Sequence, residues 1–424
     1  MTEINEKKSS QLIQVLLFTA VALGLAWALR GHFGHEYGAA WAGAVGSCSL
    51  ILISRRSDWL HKTPLLSLIG GIGWGVGGMM SYGIVVGYGR SADFANVLYG
   101  LSMLAVIGGL YGFIGGGFFA LELETTRDKK PDWAELFTQM IAGGSLFWYV
   151  LIAQFEIKMT PPRSELWAAC LGASVALAWY LRRHQFHRSL RTALWTALGA
   201  GFGFALGNFL QTLGTISGWS FNWWNVMEFT LGVCGGLGLA YGVATQEWPK
   251  SGGRSDAINM SALLVLFLFL PSLNLFQAFS LDEFVKMAVT FNVSDPLRFA
   301  YLQYYLGLIV IVLMTVAAVL TWKKGSSTAL FFLLTAFYIL FSHLKKGFFF
   351  NAGGPQREQY FYWLLFFILV LLYSASRKNP EFIQQENRGN RLIWLGVVFI
   401  LLLVFMALIS VHTHADLPGA QFRF

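Results

Sequence analysis

The chain has 424 residues, 55% of them apolar and only 12% charged, with a mean hydropathy of +0.55 and a formal net charge of +8. Soluble domains average roughly 45–50% apolar and about 25% charged residues, so a water-soluble globular enzyme and a disordered chain are both excluded. Three cysteines at scattered positions exclude a disulfide-stapled secreted domain.

About twenty apolar residues span a bilayer. Apolar runs bounded by charge predict an all-α integral membrane protein of about 13 transmembrane helices, over 10–29, 37–54, 64–88, 97–121, 133–156, 165–181, 190–214, 223–245, 257–279, 299–322, 327–344, 360–376 and 392–413. With the N-terminus in the cytoplasm, the segments on that side carry 20 of the 30 Lys and Arg residues, and each carries at least two. Lys and Arg concentrate in cytoplasmic loops, so the expected placement is a multi-pass cell (inner) membrane protein, N-terminus cytoplasmic and C-terminus extracytoplasmic. The net charge then reports orientation, and no nucleic acid partner is expected. The first run leads into Arg30 and reads as a true span, not a cleaved leader. Cys48, Cys170 and Cys234 fall inside spans and read as small buried hydrophobes.

Glycine divides the chain. Residues 1–250 hold 36 of the 46 glycines, which predicts a glycine-rich block of eight helices. Residues 251–424 form a Leu/Phe-rich block of five, expected to face lipid and to offer a homo-oligomer surface. The dense runs Gly70, Gly71, Gly73, Gly75, Gly77, Gly78 and Gly108, Gly109, Gly112, Gly115, Gly116, Gly117 predict close backbone packing, with broken helices as the alternative. A parallel repeat is expected between 64–121 and 190–245. GIGWGVGG and GAGFGFALG open the copies, and Asn96-Val97 and Asn225-Val226 follow.

Ionisable groups within a bilayer are costly and mark function by default. In chain order, the first such feature is the short outer turn Arg30-Gly31-His32-Phe33-Gly34-His35-Glu36. Arg30 suits a carboxylate or phosphate, and His32 or His35 could carry protons. The bland reading pairs Arg30 with Glu36. The turn lacks a zinc spacing, so no metal is expected. On the cytoplasmic side, Glu122 and Glu124 beside Arg127 read as helix-end charges that reach the interface. The second outer feature joins Asn208 and Gln211 to Trp223, Trp224, Asn225 and Glu228, with Glu228 one turn inside the aromatic level. Asn259, Asn274 and Gln277 read as interhelical hydrogen bonders, and Pro271 as a kink. Residues 281–289 read as an amphipathic interfacial helix. The third outer feature is the cationic stretch holding His343, Lys346 and Arg357.

These polar groups, with aromatics such as Tyr82, Tyr88 and Trp219, suit a small polar organic solute, sugar-like or anionic. The favoured reading is a transporter or permease with an outward-side site built on Glu36 and Glu228. The alternative is an intramembrane enzyme using Glu36 and Glu228 as a carboxylate pair, with His35 as a second candidate base, on a glycan or lipid-linked substrate at the outer leaflet. A structural assembly subunit is the third reading. The chain has no nucleotide loop, nucleophile elbow, zinc-helix motif or paired cysteines, so no cofactor is expected.

Overall fold

A computed structural model describes the backbone of residues 2–346, 357–376 and 390–424, and side chains over 11–346, 358–376 and 393–424. The described residues are 79% helical, with no strand among them. In order, the helices are α1 (Thr2–Arg30), α2 (Glu36–Ser54), α3 (Ser57–Leu60), α4 (Thr63–Gly78), α5 (Gly83–Tyr88), α6 (Phe94–Leu123), α7 (Trp133–Gln154) and α8 (Leu166–Arg183). They continue as α9 (His187–Ile216), α10 (Trp223–Ala244), α11 (Asp256–Ala278), α12 (Leu281–Thr290), α13 (Pro296–Lys323), α14 (Ser327–Lys345), α15 (Arg357–Ala375) and α16 (Asn390–Thr413). Among the described residues, eleven are long and apolar enough to cross a membrane by length and composition. The molecule is a helical, multi-pass membrane protein.

Two of the thirteen expected runs fall outside that set. The run 64–88 is not one helix. α4 stops at Gly78, residues 79–82 are non-helical or turn, and α5 adds a short helix. The Gly77-Gly78 pair is weakly helix-forming, and the Tyr111 hydroxyl reaches the carbonyl of Met80 beyond it (3.5 Å). The run 165–181 does form a helix, α8, which carries Arg182 and Arg183 in its last turn. Side chains start several of the other helices. Asp93 and Asn222 cap α6 and α10 by accepting from the amides of Asn96 and Asn225, and Ser255 and Ser326 cap α11 and α14.

The core is built from α1, α2, α4, α6, α9 and α10, with α6 against α9, α9 against α10, α1 against α10 and α2 against α4. Glycine sets these approaches. A Cβ on Gly71 would lie 2.7 Å from the Ala40 carbonyl, one on Gly73 2.8 Å from that of Ile114, and one on Gly232 2.5 Å from that of Leu23. Gly43 and Gly115 flank the buried indole of Trp74 from α2 and α6. The packing role expected for glycine holds, and the break after α4 shows the alternative holding at one place. Later helices wrap this core: α14 packs on α2, α15 on α1, and α16 on α6 and α9. The surface of α13 is apolar, with Tyr305, Ile309, Leu313 and Leu320 exposed. The amphipathic helix expected over 281–289 is present as α12, with Phe284 and Ala288 buried.

Hydrogen bonds gather the connections at two opposite ends. At one end, Arg30 meets Tyr82 and Glu228, and residues 417–423 bond to Gly87, Arg90 and Asn96. At the other, Arg56 donates to the Trp248 and Pro249 carbonyls, Thr63 to Ser327, and Lys129 to the Gln185 carbonyl.

Candidate functional site

The Arg30 end carries the densest buried polar cluster built from the residues singled out in the sequence. Arg30 closes α1 and is 2% exposed. Its Nη1 donates to Glu228 Oε1 (3.0 Å) and to the Tyr82 hydroxyl. Tyr82, just before α5, donates in turn to Glu228 Oε1 (2.9 Å). Arg30 Nη2 donates to His35 Nδ1 (2.9 Å), which places the His35 proton on Nε2. The guanidinium also lies over the rings of Trp27 and Tyr82, 5.3 Å from each centroid. Glu228 lies a turn inside α10, where the Asn222 cap sets the register.

The turn between α1 and α2 is shaped for this pair. A Cβ on Gly31 would sit 2.8 Å from Glu228 Oε2, and one on Gly38 would sit 2.8 Å from the Arg30 carbonyl. Gly34 has a φ of +82°, which a side chain resists. Phe33 anchors the turn among Trp41, Tyr338 and Phe341. The cluster opens outward, because Gly31 and His35 are exposed while Arg30, Tyr82 and Glu228 are buried. Among the described residues, Arg30 Nε and the indole N–H groups of Trp27 and Trp74 have no hydrogen-bond partner, while the Gly31 amide donates to the Glu228 carboxylate. Buried polar atoms are ordinarily paired, so this cluster holds unused donors around one guanidinium.

A second shell of contacts joins the first. His32 Nε2 bonds to the Tyr362 hydroxyl (3.1 Å), which also accepts from Asn225 Nδ2 (2.5 Å). Lys345 Nζ donates to the His32 carbonyl (2.5 Å). The Trp363 indole donates to His343 Nε2, leaving Nδ1 to donate to Gln359 (2.6 Å each). Burial, then the Lys346 and Lys345 charges, push His32 down to about 3. Partial burial and the Arg30 charge push His35 down to about 4. Both imidazoles are neutral at pH 7.

Four stretches distant in sequence thus meet here: the α1–α2 turn, the segment before α5, the start of α10, and the facing ends of α14 and α15. Not every expected residue joins them. Glu36 begins α2, half-buried, and makes no hydrogen bond or ion pair with the described residues. Arg30 pairs with Glu228, not with Glu36. Asn208 and Gln211 bond to each other (3.2 Å), and Asn208 faces the Val86 carbonyl beside α5. The Trp223 indole donates to the Trp219 carbonyl, and Trp224 is exposed beneath Arg90. Lys346 caps α14. The Arg357 side chain and most of the 347–358 stretch lie outside the described residues.

Sequence reasoning missed the opposite end. Glu122 and Glu124 are not interfacial charges: they are 1% and 2% exposed. Glu122 accepts from Lys62 Nζ (2.9 Å), Arg254 Nε (3.2 Å) and Arg254 Nη2 (3.1 Å), and Lys62 also donates to Ser251 (2.7 Å). Glu124 accepts from the amide and hydroxyl of Ser189. Burial pushes Lys62 below its ordinary value, and Glu122 opposes that shift. The signal available in the sequence was the pairing of two carboxylates with the cations of neighbouring loops on the same side. Asn259 also belongs here, donating to the His61 carbonyl across helices, whereas Asn274 bonds within its own helix.

Comparison with protein-family models, with curated proteins and with solved structures finds no match to this chain. The class of protein therefore rests on the fold: an all-helical membrane protein with a buried, ion-paired cluster at each end of its glycine-packed core.

Proposed function

We propose that the chain is a transporter of the cell (inner) membrane. Thirteen crossings place the N-terminus inside and the C-terminus outside, with an outward-side site built on Arg30, Tyr82, Glu228 and His35. The solute is small, polar and organic, and carries an anionic group. One observation carries this reading: the buried Arg30–Glu228 pair, with Arg30 Nε unpartnered beside the exposed Gly31 and His35. Desolvating two charges costs several kcal/mol per ion, and incomplete hydrogen bonding leaves that cost uncompensated. Such pairs inside membranes mark substrate and ion pathways. An entering anion can take the guanidinium fork in place of Glu228, while the released carboxylate accepts a proton or a solute hydroxyl.

The gathering of alternate connections at opposite ends supports thirteen crossings, with α4–α5 and α8 supplying the two that length and composition leave out. The transporter reading is preferred to the carboxylate-pair enzyme because Glu228 is engaged by a cation and a phenol, and Glu36 stands outside that network. The test is uptake by proteoliposomes offered a mixed extract of sugars and organic acids, read by mass spectrometry. Wild-type vesicles should enrich an unaltered solute, and Glu228→Gln vesicles should not. Conversion of a compound without accumulation would replace this reading with the enzyme.

A further inference from the structure

The Lys62 end has its own cavity, of about 710 Å³, within the range of small-molecule sites. Lys62, Arg127, Lys250 and Arg254 line it, with Asp58, Asp128 and Asp256. The carboxylates do not neutralise it evenly. Asp58 is held by both nitrogens of the Arg56 fork (3.1 and 2.8 Å) and by the Ser251 amide (2.8 Å). Glu122, beneath the cavity, is shared by two cations. Lys62 is 1% exposed and spends two of its three donors on Glu122 and Ser251. Arg254 gives Glu122 its Nε and Nη2 and keeps Nη1, with the side chain 21% exposed. Gly253 faces open space, since a Cβ there would meet nothing within 4 Å, while Gly252 packs on the Thr126 backbone.

We propose that Lys62 and Arg254 form an anion-binding site for the carboxylate or phosphate group of a soluble solute, with Glu122 as the internal counter-ion that the ligand displaces. The arrangement parallels the other end, where Arg30 Nη1 is held by Glu228 and Nη2 by His35. α4 joins the two, with Lys62 just before its first residue and Tyr82 four residues past its last. The site's role as the cytoplasmic station of a transport path rests on the transporter reading; anion binding itself does not.

The experiment uses the full chain, stripped of lipid in neutral detergent. Thermal unfolding is followed against inorganic phosphate, with sodium chloride at matched ionic strength as control. A ligand that binds only the folded state raises the melting temperature with concentration. Wild-type protein should show a phosphate-specific rise. Glu122→Gln, which removes the internal counter-ion without changing shape, should bind phosphate at least tenfold more tightly. If Glu122→Gln does not fold, Arg127→Gln and Lys250→Gln at the rim decide: each should weaken the phosphate effect several-fold. Equal responses to phosphate and chloride, or an unchanged affinity in these variants, overturn the site. A shift with phosphatidylglycerol but not with phosphate would assign it to a lipid headgroup and overturn the soluble anion. Phosphate binding without solute uptake would instead defeat the transporter reading and leave the site standing.

Discussion

Arg30 and Glu228 are 198 residues apart, and each stood out in the sequence as a charge within an apolar stretch. Their partnership did not, because no local pattern ties the end of one helix to the start of another nine elements later. Gly31 carries the missing information: it is small because a carboxylate from α10 occupies the space of its side chain. Breaking a buried pair by removing one partner typically costs about 3–5 kcal/mol. Arg30→Gln should therefore lower stability by roughly that amount, and Arg30→Gln with Glu228→Gln together should recover part of it. Calorimetry of the two single variants and the double variant checks this; strictly additive losses would mean the pair does not interact. His32 gives a pH dependence. The free side chain titrates near 6.5 and the folded one near 3, so the unfolded chain binds the extra proton between those values. Stability is then complete above pH 6.5 and falls on acidification, by roughly 3 kcal/mol at pH 4. His32→Gln should flatten that slope in melting curves from pH 7 to pH 4, and an unchanged slope would remove His32 as its cause.

At the scale of the element, hydropathy revealed the long helices because their apolar runs exceed the length a bilayer needs. It did not reveal the break after Gly78, since glycine keeps the run apolar while weakening the helix. Glycine spacing showed that helices approach closely but not which ones. α6 and α9 meet through Gly108, Gly112 and Gly116 on one side and Gly201 on the other. Gly112→Leu would drive a side chain into the Thr196 backbone, and overpacking of that kind costs about 1–3 kcal/mol or more. Gly83→Ala is the control, because a Cβ there meets nothing within 4 Å. The melting temperature should fall clearly for Gly112→Leu and hold or rise for Gly83→Ala. Equal effects would show that helix contact is not what these glycines serve.

At the scale of the whole molecule, the bias of basic residues and the gathering of connections point to the same two-ended arrangement, because both follow from where the chain turns. The buried cluster around Glu122 escaped the sequence because Lys62 and Arg254 read equally well as cytoplasmic loop charges; only burial separates the two roles. Ser220, exposed beside the start of α10, belongs to the Arg30 end, and Lys130, exposed before α7, belongs to the Lys62 end. The arrangement requires them to face opposite sides of one membrane. The measurement is labelling of intact cells by a membrane-impermeant maleimide, with Cys48, Cys170 and Cys234 replaced by alanine and a single cysteine placed at Ser220 or Lys130. Ser220→Cys should react from outside, and Lys130→Cys only after the cells are opened. Reaction of both from the same side would contradict the two-ended membrane path on which the proposed transport site depends.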